Sequence, residues 1–227
     1  MPRPAVLAAL LALLALPAAA DADGPDLLRV VDIAEGGTLA LRDAPGPDGA
    51  VLATIPAGQD GLASFGCQGG LDLVEWEAAD EAARAEGRAR RWCLVGFARH
   101  IGWARGMHLA EGGPPPALNG GRLPTLEGSE WGLAGPPAAW IGFRGGRAQG
   151  HAGCNRFGGS YETAPGRLAI GPLAATRMAC PPAAMTAEQR FLGALAATTR
   201  FAASHLVLAL LDAEGRVRLT LARRDAD

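Results

Sequence analysis

Apolar and polar residues alternate with a period of two in several short stretches of this chain, and Gly or Pro ends most of them. Leu39–Arg42 and Val51–Ile55 read as strands, divided by the turn-rich run 43–50 and closed by Pro56-Ala57-Gly58. Leu94–Phe97 and Ile101–Ala104 form a second pair, with Arg99 and His100 near the turn. Short strands punctuated in this way predict a small β-barrel in the first half. Farther on, Trp140–Phe143 leads into Gly145-Gly146, and Leu168–Ile170 follows the Pro165-Gly166 turn. A last hairpin places Leu206, Leu208 and Leu210 against Val217, Leu219 and Leu221 across a turn at 212–215. On its second strand Arg216, Arg218 and Thr220 are expected to face solvent.

Two stretches carry helical signals instead. Asp72 with Glu75 three residues later is a variant of the capping box. It opens a charged, alanine-rich helix over residues 75–91, acidic early and basic late, as the helix dipole favours. This helix is expected to be a solvated face rather than a binding surface. Thr186 and Gln189 form a second capping box, and a helix is expected to follow it to about Thr198, with Phe191, Leu192 and Leu195 on one face.

The two ends of the pattern differ from the rest. Ala5–Leu16 is an unbroken apolar run behind Arg3, broken by Pro17 and followed by Ala18-Ala19-Ala20. That arrangement is expected to be a Sec-type signal peptide, residues 1–20, cleaved after Ala20. The run is shorter than the ~20 apolar residues of a spanning helix. The protein is therefore expected in the periplasm, with no membrane span after cleavage. Residues 112–121 are a Gly/Pro linker stiffened by Pro114-Pro115-Pro116. The expected units are 21–111 and 122–227.

Composition adds exclusions more than assignments. The 227 residues carry a formal net charge of −2, and all 21 Lys/Arg positions are arginine. No basic field of the kind that binds nucleic acid is visible. Four cysteines, Cys67, Cys93, Cys154 and Cys180, allow three pairings. Export favours disulfides, and the linker divides the four into local pairs, 67 with 93 and 154 with 180. Each such loop is expected to stabilise its unit by roughly 3 kcal/mol. His151 and Cys154 have a ligand-like spacing, but no CxxC or second close pair accompanies them. No metal and no cofactor is expected.

The residues also carry two resemblances. Val51–Gly58, Trp92-Cys93-Leu94-Val95 and Gly102-Trp103-Ala104, with Leu109 near the end, resemble a bacterial SH3-like domain over about residues 27–111. Ala104 stands where the family usually has Val, and residues 68–91 are a long insertion with Cys67 and Cys93 at its ends. The resemblance implies a small β-barrel used for binding or targeting. The string Gly150–Tyr161, the string Gly171–Cys180 with its Thr-Arg-Met-Ala-Cys, and Glu188–Leu192 resemble the META domain of the HslJ-like family, over about 122–224. This implies an antiparallel β domain with one main helix, often associated with the envelope or with stress. The expected fold class is thus mainly β, with an α+β C-terminal half.

No nucleophile elbow, P-loop, dinucleotide fingerprint or HExxH string occurs. The named candidate ligand-binding residues are Asn155, Arg156, Tyr161 and Arg177 in the second half and Trp92 and Trp103 in the first. Asn155 is suited either to hold a turn or to touch a ligand. Arg156 and Arg177 are suited to a carboxylate or phosphate, or else to solvent or to Glu162 and Glu188. The two Trp are either groove-lining or buried in the barrel. The expected function is non-enzymatic binding or scaffolding at the envelope, with peptidoglycan or an envelope protein as partner. Two rivals stand beside it: a periplasmic inhibitor or chaperone-like factor, and a thiol-dependent or wall-acting enzyme.

Overall fold

The structure is a computed structural model and describes residues 27–113, 125–135 and 138–224. The expected signal peptide and most of the expected linker lie outside these residues. Within them the protein is mainly β, with antiparallel sheets and three α-helices.

Seven strands form the first sheet: β1 (Leu27–Val30), β2 (Thr38–Arg42), β3 (Val51–Pro56), β4 (Leu62–Gln68), β5 (Trp92–Phe97), β6 (His100–Arg105) and β7 (Leu109–Glu111). Their order is β3-β2-β6-β5-β4-β1-β7. All seven contribute to one apolar cluster, including Leu28, Leu41, Ile55, Leu62, Val95 and Leu109. The sheet is therefore wrapped around its own core. Among the described residues no ladder joins β3 to β7, so the expected barrel is not closed by strand pairing. The chain after β3 reaches the other edge through Val30 N–H to Gln59 C=O and through Gly113 N–H to the Asp60 carboxylate, each 2.8 Å.

Between β4 and β5 the expected single helix is two: α1 (Leu73–Ala78) and α2 (Glu81–Arg90). The Asp72/Glu75 capping box is present. The break comes at Asp80, whose carboxylate accepts from Ala83 N–H at 2.8 Å and caps a new helix. An Asp that bonds the backbone locally competes with the helix running through it. The pair is exposed, and its charges serve each other: Arg88 to Glu81 at 2.8 Å and Arg90 to Glu86 at 3.1 Å. The Cys67–Cys93 disulfide lies across β4 and β5 at the base of this insertion.

The second sheet comprises β8 (Ser129–Gly132), β9 (Trp140–Arg144), β10 (Arg147–His151), β11 (Arg156–Ala164), β12 (Arg167–Ile170), β13 (Ala174–Ala175), β14 (Arg200–Ala203), β15 (Val207–Leu211) and β16 (Val217–Arg223). Pairing of β10 with β11 closes eight of these strands into a barrel, with β13 added outside on β11. α3 (Pro182–Ala196) buries Phe191 and Leu195 in the barrel core, where Phe191 meets Phe157 with ring centroids 6.0 Å apart. The helix begins at Pro182, one turn before the expected Thr186 cap. Pro fits the first helical position because its φ is already helical and its missing N–H is not needed there.

The two sheets meet face to face. On β5 and β6, Leu94, Ile101 and Trp103 point away from the first core. On β14 and β15, Ala202, Val207, Ala209 and Leu211 point away from the barrel interior. These two sets form one shared apolar cluster. Every residue of β15 is buried as a result.

Candidate functional site

Asn155 sits where the Gly-Cys-Asn string enters β11, and it is 4% exposed. Its Oδ1 accepts from Met178 N–H at 2.7 Å and from Thr176 Oγ1 at 2.8 Å. Its Nδ2 donates to Glu188 Oε1 at 3.1 Å, and Glu188 Oε2 accepts from Asn155 N–H at 2.6 Å. One side chain thus ties the 174–180 segment and α3 to the barrel, beside the Cys154–Cys180 disulfide. Of the two expected roles for Asn155, the geometry is that of the structural one. Glu188 is spent here and pairs with neither arginine.

Arg156 and Arg177 are both exposed. They lie close in the chain pairing, since Thr176 N–H donates to Arg156 C=O at 3.0 Å. Neither has an ion pair among the described residues. Tyr161 is not part of this patch. It lies five residues farther along β11 than Arg156, roughly 17 Å at the usual rise. Its ring is inside the barrel, edge-on to Phe143 with centroids 5.0 Å apart. The Tyr161 hydroxyl donates to Glu127 Oε2 at 2.6 Å, and Gly145 N–H donates to Glu127 Oε1 at 2.7 Å. The tyrosine bond, then the Gly145 N–H, hold the Glu127 carboxyl below its ordinary value. Burial, then the Glu127 carboxylate, push the Tyr161 hydroxyl up to about 12. Near neutral pH the pair is a fixed donor and a fixed acceptor.

Trp103 does not line a ligand groove. Its ring is 1% exposed in the apolar cluster between the sheets, and its Nε1–H donates to Gly215 C=O of the other half at 2.6 Å. A ring packed on both sides with its N–H spent has nothing left for a ligand. Trp92 is half-buried and carries the Arg105 guanidinium 5.6 Å from its ring centre. Among the described residues no three His, Cys, Asp or Glu side chains stand together as a metal set, and all four cysteines are in disulfides.

Two depressions lie close to these residues and to the last strand. One, of about 210 Å³, lies over β8 and β9 beside Trp140, Glu130 and Arg144. Arg224 stands 5.1 Å from the Trp140 ring centre and pairs with Glu130 at 3.0 Å, so the one acidic side chain lining this depression is engaged. The other, of about 480 Å³, runs between α3 and the start of β16. Arg190, Arg216 and Arg218 line it, and no acidic residue does. Sequence reasoning missed this groove, having assigned Arg216 and Arg218 to solvent. The available signal was the Arg-x-Arg spacing of 216 and 218 at the entry to the last strand.

Residues 122–225 match the META domain family. The META match covers the barrel and α3 but under half of the chain, and it does not extend to the first sheet. Within the META region, the Asn155 node is where the Gly-Cys-Asn and Thr-Arg-Met-Ala-Cys strings meet. A solved structure described as the NMR structure of the protein from Burkholderia xenovorans is similar over 44% of this chain and 85% of that chain. The two share 25% sequence identity, with a TM-score of 0.40. No curated protein matches the chain at a significant level.

Proposed function

We propose that the protein is exported to the periplasm and acts there as a non-enzymatic binding or scaffold protein of the envelope. The observation that carries this reading is the pair of disulfides, Cys67–Cys93 and Cys154–Cys180. Structural disulfides of this kind persist in oxidising compartments and are rare in a reducing cytosol. They agree with the leader-like residues 1–20. They also leave no free thiol for a thiol-dependent enzyme. The first sheet, wrapped on its core with a helical insertion at 68–91, is read as an SH3-like targeting module. The META region is read as belonging to the HslJ-like branch, with a role in envelope stress tolerance.

Two measurements test this. Expressed with its leader in a Gram-negative host, the chain is expected in the periplasmic fraction with Asp21 as its first residue. Retention in the cytosol with residues 1–20 attached overturns the export reading. The oxidised mature protein is then sedimented with purified peptidoglycan sacculi. Salt-resistant pelleting that is lost in Trp92→Ala supports wall targeting through the first sheet. No pelleting rejects direct wall binding and leaves an envelope protein as the partner.

A further inference from the structure

The groove between α3 and β16 has the properties of a site for negative charge. Its helix wall presents Gln189, Arg190 and Gly193, and its strand wall presents Arg216 and Arg218. The three guanidinium groups differ in how fully they are engaged. Arg216 is held at 2.9 Å by Asp43 of the first half. Arg218 stands 3.6 Å from Asp212, beyond a good charged hydrogen bond. Arg190 has no hydrogen-bond or ion-pair partner among the described residues. One wall is fixed to the first half by that Asp43 pair and by the bond from Val217 N–H to Asp43 C=O at 2.7 Å. The helix wall is open at Gly193: a Cβ placed there meets no atom within 4 Å.

We propose that this groove receives an extended acidic segment of a partner protein, its carboxylates taken by Arg190 and Arg218. Guanidinium groups match carboxylates through paired N–H donors, and a planar fork on each wall favours a ligand lying between them. The charges are spread over a helix and a strand rather than aimed at one point. The groove volume, about 480 Å³, is that of a site for a chain or a drug-sized ligand and exceeds what one small oxyanion fills. A row of carboxylates on a peptide fits both facts. This inference stands independently of export and of wall binding.

The test uses the full mature protein and a short fluorescein-labelled peptide of alternating Glu and Ser, read by anisotropy. The same peptide with Gln for Glu is the control. Binding is expected for the Glu peptide alone, and it is expected to fall as added salt shortens the screening length. Arg190→Ala, at an exposed helix position, is expected to weaken it about tenfold, the loss of one charged hydrogen-bonding group. Gly193→Glu adds a carboxylate to the helix wall at a position where the Cβ is unobstructed and is expected to abolish binding. Circular dichroism confirms that both variants are folded. No binding, equal binding of the Gln peptide, or affinity unchanged in both variants overturns the proposal. So does complete displacement by inorganic phosphate at low concentration, which would make the groove a simple oxyanion site.

Discussion

Trp103 brings a large ring and one N–H to the same place, and both are used across the meeting of the two sheets. The ring packs with Leu94, Ile101 and residues of β14 and β15, while the N–H reaches Gly215 C=O. Gly215 itself has φ +80, and a Cβ there would stand 3.2 Å from Trp103 Cζ2, so no other residue fits the turn without strain. Trp103→Phe keeps most of the ring and leaves a buried carbonyl unpaired. It is expected to cost about 1–3 kcal/mol. Trp103→Ala adds a cavity and is expected to cost about 3–5 kcal/mol. Denaturant unfolding checks both values, and equal small losses would contradict the packing described.

Tyr161 is the only tyrosine in the chain, so its ionisation is read directly by ultraviolet absorbance. A free tyrosine is half ionised near pH 10, whereas Tyr161 is expected to stay protonated there and to titrate near pH 12. Its raised value means that its contribution to stability is whole below pH 10 and is lost as pH rises through about 12. Glu127 works in the other direction. Its lowered value means that its contribution is present above the ordinary 4.5 and is lost as pH falls through the lower folded value. Glu127→Gln is expected to move the tyrosine titration back toward pH 10, because burial alone then raises it.

Among the elements, strands with an apolar stretch were legible in sequence, including three that carry a glycine, Leu94–Phe97, Ile101–Ala104 and Trp140–Phe143. Leu39–Arg42 and Val51–Ile55 lie where the pattern put them, and the last hairpin is present as β15 and β16. Its alternation holds only in part: Leu206 is exposed and precedes β15, and a register shift leaves Val217 on the shared cluster while Leu219 and Leu221 pack on the barrel core. β10 and β11 close the barrel, yet no strand was read in either, because Gly150, Gly158 and Gly159 interrupt their apolar pattern. Gly150 is required there, since a Cβ on it would collide with Trp140 C=O. The alternating leucines of β15 showed only one of its faces. Val207, Ala209 and Leu211 between them make Leu206–Leu211 a continuous apolar run, the mark of a strand covered on both sides. The candidate site was less legible, because Arg190 and Arg218 lie far apart in sequence and only the packing of α3 on β16 brings them to one groove. Asn155 and Tyr161 were named as candidate ligand residues, but their polar atoms are engaged internally.

Two elements invite direct tests of their stability. Gly193 lies inside α3 with open space beside it, so Gly193→Ala removes backbone freedom without crowding. A gain of about 1 kcal/mol is expected, seen as a higher thermal midpoint. The 26-residue separation closed by Cys67–Cys93 spans the whole of α1 and α2. Replacing both cysteines by Ser is expected to lower stability by about 3 kcal/mol relative to the oxidised protein. An unchanged denaturation midpoint would show that the insertion closes without its crosslink.

At the scale of the whole molecule, the shared cluster makes the two halves energetically one object. Calorimetry of the oxidised protein is expected to show a single unfolding transition, because melting either sheet uncovers the inner face of the other. Residues 122–227 expressed alone would leave Val207, Ala209 and Leu211 facing water. Such a patch is expected to drive self-association, measurable by sedimentation. Two separate transitions and a monomeric fragment would mean that the contact contributes little.

Both crosslinks also stay within their own halves, so nothing covalent joins the first sheet to the second except the backbone between them. A protease cut between residues 113 and 125 would thus turn an intramolecular packing contact into a subunit interface. The nicked protein would behave as a heterodimer, with an affinity set by Trp103 and its neighbours. Its two pieces would form a natural split pair, able to report on each other's presence at dilution.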